Sequence, residues 1–390
     1  MLRNYSVLII GNPYDSHFVR FVKYIKKENP LIKLTAFGFK VDGKIISEEL
    51  ANSVEELCLA DNNHRCPSIP FIRSIVSLYH IKSVFHRQLS KKRFDIVNIH
   101  YPLYFYVFLL RDIKRITHKI IVTPWGSDVY RISWIEKCLL RRLYKNANIV
   151  TGYGKRFTDD CKRIFKIPEK KFRNLRLFID QIDFFVDHKN LFTVKEAKQQ
   201  LGISDHDYVI TCGYNGSPSQ RHLDMIEAIN GIKDHLPKSF ILLFPFTYAG
   251  TEDYRNIVKK KVEECGINAV YCERYLDLKD LFILRLATDM FIHIQTTDAN
   301  NGSLKEYVLL GKNVINGAWL KYDDIEINGN KPYHLVSSLN ELGSVIVNAY
   351  NDGPVQVSNE VIEIIEHIGC RYWAPKWIEM FDLLVYPNNK

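Results

Sequence analysis

The residues of this 390-residue chain best suited to chemistry lie where short apolar runs give way to polar turns. One such turn is Gly213-Tyr-Asn215-Gly216-Ser217-Pro-Ser-Gln-Arg221, between the run Tyr208–Cys212 and a helical pattern of Leu223, Met225, Ile226 and Ile229. Glycines let backbone N–H groups approach an anion closely, and a helix start adds partial positive charge. Arg221 supplies a permanent cation whose planar donor fork matches phosphate oxygens. The three-glycine spacing of a dinucleotide fingerprint is absent, and the spacing alone describes a plain turn equally well. A second turn, Asp298-Ala-Asn-Asn301-Gly302-Ser303-Leu-Lys-Glu306, follows the run Met290–Ile294. Asn301, Gly302 and Ser303 fall at a helix start. Glu306 comes one turn later, where its carboxylate can accept hydrogen bonds from hydroxyls. Ser303 with Glu306 also matches the S-x-x-E capping box.

The N-terminal half contributes Asp95-Ile-Val-Asn-Ile-His100 and Val-Thr-Pro124-Trp125-Gly126-Ser127-Asp128. Asp128 is the preferred catalytic or ligand-binding carboxylate; otherwise it caps the helix that follows. His100 is a second catalytic candidate, and equally a core histidine. Asp15 and His17 follow the first apolar run and read more readily as a turn and a helix start. Asp205-His206-Asp207 has the D-x-D form of divalent-cation sites, but it precedes a strand within a polar stretch, so no metal is expected there. Asp323-Asp324 reads as solvated surface.

Positioning these residues requires alternating strands and helices. Strands are expected at Ser6–Ile10, Leu34–Phe39, Ile96–His100, Lys119–Thr123 and Ile149–Thr151 in the first half. In the second half they are expected at Tyr208–Cys212, Ser239–Phe244, Val270–Cys272, Met290–Ile294 and Asn313–Asn316. Amphipathic segments such as His17–Lys27 and Trp134–Lys145 lie between them. In the latter, Trp134, Ile135, Cys138, Leu139 and Leu143 share a face, with Arg141, Arg142 and Lys145 elsewhere. The rhythm predicts an α/β protein of two doubly wound, Rossmann-like domains facing a central cleft. It gives a domain over 1–185, a linker over 186–207, a domain over 208–360 and a terminal helix over 361–390 packing back across both.

Hydrophobic residues at 46% and charged residues at 25% describe a folded globular protein, not a disordered chain. The eight cysteines show no C-x-x-C and no zinc spacing, which fits a reducing compartment. Neither a signal peptide nor a stretch long enough to span a bilayer is apparent. Charge divides sharply: residues 1–189 carry a net +16 and residues 190–390 a net −7. A basic half of that size suits anionic lipid or nucleic acid, or is simply a solvated face. Near Arg141, Arg142 and Lys145, and Lys91 to Arg93, aromatic residues offer shelter for a prenyl chain, although Phe105–Leu110 reads somewhat more readily as ordinary buried helix.

The order of these segments resembles the GT-B glycosyltransferases, especially the large retaining family four. In that family a glycine loop with a basic residue grips the donor diphosphate, and two acids separated by seven residues hold the donor sugar and ribose. Asp298 and Glu306 have that separation, with Asp replacing the usual first Glu, and Arg221 falls where the loop lysine lies. The arginine that follows the loop's first glycine is Tyr214 here, so one phosphate cation is missing; hydroxyls of Thr247 and Tyr248 are candidates to compensate. Trp125 stands where many relatives place an active-site His. A closer similarity, over Gly213–Glu227, 244–248 and Tyr275–Asn316, is to the bacterial 4-acetamido-4,6-dideoxygalactosyltransferases that act on a polyprenyl-diphosphate-linked sugar. It covers about a quarter of the chain.

The resemblance implies a metal-independent, hexosyltransferase-like enzyme of bacterial surface-glycan assembly (O-antigen, capsule or exopolysaccharide), with no cofactor beyond its nucleotide-sugar co-substrate. Donor contacts would come from Gly213, Asn215, Gly216, Ser217, Arg221, Thr247, Tyr248, Asp298, Asn301, Gly302, Ser303 and Glu306. Asp15, His17 and Trp125 would lie on the acceptor side, with Asp128 and His100 as catalytic candidates. The expected partners are a nucleotide-sugar donor, a lipid-linked or glycan acceptor and the anionic inner face of the cytoplasmic membrane; no nucleic acid is expected. The rival readings are a sugar-nucleotide epimerase of the same fold, a scaffold without catalysis, and a nucleic-acid-binding protein using the basic half. The epimerase would need more acids and histidines, and the last would need a recognition motif.

Overall fold

The computed structural model describes residues 3–61, 70–298 and 302–387, with the side chains of 70–75 left aside. Two compact units emerge: the chain up to Phe178 joined by the chain from Cys370, and Ile179–Gly369.

The first unit is built on seven parallel strands: β1 (Ser6–Ile10), β2 (Lys33–Phe39), β3 (Glu56–Ala60), β4 (Ile96–His100), β5 (Ile120–Thr123), β6 (Ile149–Gly152) and β7 (Phe172–Asn174). Their order is β3-β2-β1-β4-β5-β6-β7. Helices cover both faces, which is why β1 and β4 are apolar almost throughout. Alternation divides the load. Leu8 and Ile10 pack with Phe85, Leu140 and Tyr144 on one face. Val7 and Ile9 pack with Phe18, Phe21, Trp377 and Phe381 on the other.

The last two of these aromatics come from the helix Cys370–Val385. Its indole Trp377 donates to the Arg176 carbonyl at 2.8 Å. The helical segment expected over 361–390 is in fact two helices, the first ending at Glu366 with His367 as its C-cap and the second starting at Cys370. Asn359–Glu366 packs in the second unit, where Val361 and Ile365 are buried with Tyr307. Only Cys370–Val385 joins the first unit.

The second unit has six parallel strands: β8 (Tyr208–Cys212), β9 (Phe240–Phe244), β10 (Ala269–Tyr271), β11 (Met290–His293), β12 (Asn313–Gly317) and β13 (His334–Val336). The order is β10-β9-β8-β11-β12-β13. Residues 186–207, expected as a linker, fold within this unit. The helices Asp180–His188 and Val194–Gln200 bury Phe185 and Ala197 against Phe282 and Ile283. The polar composition misleads because Lys198 is itself buried, its ammonium 2.7 Å from both the Asp289 carboxylate and the Asp207 carbonyl.

The helix Trp134–Asn146 also differs from its expected face: Leu140, Leu143 and Tyr144 point inward, while Trp134 and Ile135 are exposed. All seven described cysteines are free. No described helix is long and apolar enough to cross a membrane.

Candidate functional site

In a parallel sheet wound in two directions, ligands bind beyond the strand carboxyl ends where the winding reverses. In the second unit that point lies between β8 and β11, which pair directly. The turn after β8 is Gly213–Arg221, and the turn after β11 leads to the helix Gly302–Leu309. The two turns are joined: Thr296 N–H donates to the Ser219 carbonyl at 2.9 Å, and Gln220 Nε2 to Gln295 Oε1 at 2.9 Å. The two segments singled out in the sequence therefore form one surface.

The glycine loop, however, uses its backbone donors on itself. Tyr214 N–H bonds Gln220 Oε1, Ser217 N–H bonds Asn215 Oδ1, and Ser219 N–H bonds Ser217 Oγ. Gly213 donates to Ile292, Gly216 to Tyr248, Gln220 to Ser217 and Arg221 to Pro218. An open cradle of N–H groups is thus not what the loop presents; its strongest anion-binding group is the Arg221 side chain. Gly213 has φ +66°, and an added Cβ would lie 2.8 Å from Gln220 Oε1. Arg221 adopts the left-handed conformation at φ 63° without being glycine, a strained state of the kind that concentrates at functional sites. Its guanidinium sits over the Trp319 ring, 5.2 Å from the centroid.

Tyr214, the departure at the second cation position, is not a spare hydroxyl. Its ring is largely enclosed and its OH donates to Gln295 Oε1 at 3.1 Å. Burial pushes that phenol above its usual range. Tyr248 has a half-exposed ring, but its hydroxyl turns toward Asn215, within electrostatic reach of Arg285, Glu306 and Asp298. Thr247 is half-buried beside it.

The two acids are held differently. Glu306 is buried, and Arg285 Nε donates to its Oε2 at 2.9 Å. Arg285 also donates to the Tyr307 hydroxyl at 2.8 Å and to Ser303 Oγ at 3.1 Å. Burial opposes the Arg285 charge, but Tyr307 and Glu306 outweigh it and bind its proton more tightly. The capping box read from Ser303 and Glu306 therefore gives way to a clamp from a neighbouring helix. Glu306 Oε1 remains on the side of Gly302, where an added Cβ would lie 3.7 Å away. Asp298 Oδ2 accepts from the Tyr322 hydroxyl and lies 3.1 Å from His293 Nε2. Lys305 and Asp324 pair in the interior beneath, so Asp324 is not solvated surface. Asn301 lies outside the described residues.

Arg285, His293, Gln295, Trp319 and Tyr322 were not singled out in the sequence. Two carry a visible signal: Arg285 interrupts the apolar helix Leu278–Ala287, and His293 the apolar strand β11. A polar residue buried by its neighbours needs a partner.

In the first unit the matching reversal lies between β1 and β4. His100 ends β4 with no exposed surface, ringed by Phe18, Phe21, Trp125 and Trp377. Asn98 Nδ2 donates to its Nε2 at 3.0 Å, and burial holds its pKa down at about 3. It stays neutral near pH 7, and its Nδ1 is buried without a partner, so His100 and Asp128 both stand as catalytic candidates. Asp128 is buried too, its Oδ1 accepting from Trp125 N–H at 2.9 Å and Gly126 N–H at 2.7 Å. Its Oδ2 and the Trp125 indole N–H are buried without partners in the same short loop. Burial raises the Asp128 pKa to about 6. Asp15 caps the helix Ser16–Glu28, accepting from His17 N–H at 2.8 Å. His17 is exposed and stands edge-on to Trp125 at 5.6 Å, so these two share the surface of the Asp128 loop. Tyr101, in the left-handed region at φ 47°, meets the same loop through Ser127 at 3.1 Å.

Asp205 and Asp207 do not converge on a metal position. Asp205 pairs with Lys195 at 3.0 Å, and Asp207 accepts from Ser239.

No protein-family model matches the chain, and no curated protein matches its sequence. Solved structures do match its fold. Sucrose-phosphate synthase from Thermosynechococcus elongatus superposes with a TM-score of 0.75 at 13% identity, covering 99% of this chain and 100% of that one. A glycosyltransferase from Rickettsia africae gives 0.71 at 16%, covering 100% of both chains. The Anabaena protein HepE in complex with UDP and glucose gives 0.67 at 12%, covering 97% and 100%. With two parallel, doubly wound sheets in tandem, the chain has the GT-B fold.

Proposed function

We propose that the protein is a glycosyltransferase that moves a sugar from a nucleotide-diphosphate donor to a lipid-linked or glycan acceptor. The observation that carries this reading is the junction of the Gly213–Arg221 and 294–306 segments at the winding reversal of the second sheet. Arg221 ends the first of these segments, and the second carries two oriented carboxylates and leads into the helix Gly302–Leu309. The diphosphate docks on Arg221 and that helix start, whose partial positive charge suits an anion. Asp298 and Glu306 accept hydrogen bonds from sugar and ribose hydroxyls. The complex of HepE, a protein of the same fold, with UDP and glucose supports this class of donor.

In transfer, the acceptor hydroxyl oxygen bonds to the anomeric carbon as the bond to the diphosphate breaks, and the electron pair leaves with the diphosphate. Arg221 and the helix dipole stabilise that growing charge, with no metal in the scheme. Asp128 takes the hydroxyl proton. A carboxylate titrating near 6 is largely ionised at pH 7 yet basic enough for this task. The acceptor is seated on the first unit, beside His17, Trp125 and Asp128. The basic N-terminal half suits a peripheral enzyme on the inner face of the cytoplasmic membrane, transferring a hexose-like sugar in bacterial surface-glycan assembly.

The direct test is a thermal-shift screen of UDP-, GDP- and dTDP-sugars on the purified protein. A ligand that binds only the folded state raises the melting temperature, by about 2.7 kcal/mol of stabilisation at 100 times its Kd. Arg221→Ala should remove that rise and abolish transfer while leaving the unliganded melting temperature close to the parent's. A flat response to every nucleotide sugar would overturn the assignment.

A further inference from the structure

The helix Trp134–Asn146 carries apolar bulk on the side that faces solvent. Its inward residues are Leu140, Leu143 and Tyr144. The opposite face, by helical period, runs Trp134, Ile135, Cys138, Arg141, Arg142 and Lys145. Trp134 is 74% exposed and Ile135 65%, while Arg142 and Lys145 are exposed about two to three turns further on. No acid lies on that face. The helix's one acid, Glu136, is engaged in the capping box with Ser133.

Neighbouring elements extend the pattern. Tyr104 and Phe108 of the short helix Tyr104–Leu109, and Tyr130 just before the main helix, are also exposed. Tyr104, Arg131, Ile132 and Glu136 together line one cavity of about 350 Å³, which brings the two helices to a common rim. Between residues 103 and 146 the acids besides Glu136 are Asp112, buried and paired with Arg115, and Asp128, also buried, against exposed Arg111 and Lys114. Asp160, which accepts from the Tyr130 hydroxyl, is itself paired with Arg163.

Exposed Trp, Tyr and Ile beside an excess of exposed Arg and Lys describe a surface for the interface of an anionic bilayer. There the rings enter the headgroup region and each nearby cation gains from the negative surface potential. We propose that the outward face of the helix Trp134–Asn146, with the exposed rings of Tyr104, Phe108 and Tyr130, docks the protein on an anionic lipid surface. Charge selects this occupant over a second copy of the chain, since two such faces would set like charges against each other. The inference deepens the peripheral-membrane part of the proposed function and does not depend on the donor site.

The test is co-flotation of the full chain with vesicles of phosphatidylglycerol and phosphatidylcholine, against vesicles of phosphatidylcholine alone. Binding is expected to the anionic vesicles only, weakened by salt. Trp134→Ser with Ile135→Ser should lower the partition coefficient at least about tenfold, and Arg142→Glu with Lys145→Glu by about fivefold or more per charge. Circular dichroism of each variant should match the parent, because these side chains are exposed. Trp134 emission should shift to the blue on binding. The proposal is overturned if the parent ignores anionic vesicles, or if the variants bind as well as the parent. It is equally overturned if sedimentation shows a dimer that the Trp134→Ser, Ile135→Ser variant dissolves. Nucleotide-sugar thermal shifts of the same variants should stay at parental values, so a failed donor site and a failed lipid surface are told apart.

Discussion

At the scale of single residues, the donor surface depends on a buried cation, Arg285, that acts through the carboxylate it holds, Glu306. Arg285 and Glu306 are both almost wholly buried, so each charge is tolerated because the other is present. Arg285→Met leaves a buried carboxylate and should cost about 3–5 kcal/mol, read as a lower urea midpoint. Replacing the partner as well, as in Arg285→Met with Glu306→Leu, should recover much of that stability while leaving nucleotide binding impaired. If the single variant is as stable as the parent, the pair is not the clamp described here.

Asp128 makes a different prediction, because its proton is coupled to folding. Burial raises its folded pKa to about 6, above roughly 3.9 for a free carboxyl. The folded chain therefore binds the proton more tightly than the unfolded one. The resulting stabilisation is complete below about pH 4 and is lost as pH rises through about 6. Asp128→Asn should flatten the decline in stability across that window, measured by denaturant titration at several pH values. If Asp128 is the base, kcat/KM of the parent rises through about pH 6, and the Asn variant loses turnover while keeping its nucleotide thermal shift. An unchanged pH–rate profile in the variant would remove Asp128 from the chemistry.

At the scale of elements, strands in the interior of each sheet are apolar enough to announce themselves, and of the four edge strands only β10 does so. β1, β4 and β8 have the bounds read from their residues, since both faces are covered and nearly every side chain is buried. β3, β7 and β13 are unannounced. All three are edge strands; β7 has just one apolar residue, and β13 is His-Leu-Val. Site residues follow the same logic. Arg221 and Asp298 sit in turns beyond strand ends, and Glu306 one turn into the helix that follows, positions that composition marks. The contacts that orient them come from Arg285, Tyr322 and Trp319, brought in by long-range pairing that no local pattern records.

The glycine loop shows this best. Its composition suggests exposed backbone donors, and the fold spends them on Gln220, Ser217 and the 246–251 loop instead. That second loop is fitted closely, since an added Cβ on Gly250 would meet the Gly216 carbonyl oxygen at 1.9 Å, and Gly250 has φ +73°. Gly250→Ala should therefore force the two loops apart. Nucleotide-sugar affinity should fall at least about tenfold with only a modest change in melting temperature, as calorimetric titration would show.

At the scale of the whole molecule, the chain order and the folding units do not coincide. The first unit is completed by a helix that is made last, after all of the second unit. Cys370–Val385 contributes Trp373, Trp377, Met380 and Phe381 to the layer that also holds Phe18, Phe21 and Phe178. Each large aromatic buried there is worth about 1.5–3 kcal/mol, so removing the helix strips several such contributions from one face of the sheet at once. Native stability is typically about 5–15 kcal/mol. Deleting residues 370–390 should thus leave the first unit largely unfolded, read as the loss of its cooperative melting transition while that of the second unit persists. The second unit, Ile179–Gly369, holds its own sheet and cores. Expressed alone, it should melt cooperatively and still show the nucleotide-sugar thermal shift, because Arg221, Asp298, Glu306 and Arg285 all lie within it. A fragment that is folded but blind to every nucleotide sugar recognised by the full chain would mean that donor binding needs residues of the first unit as well.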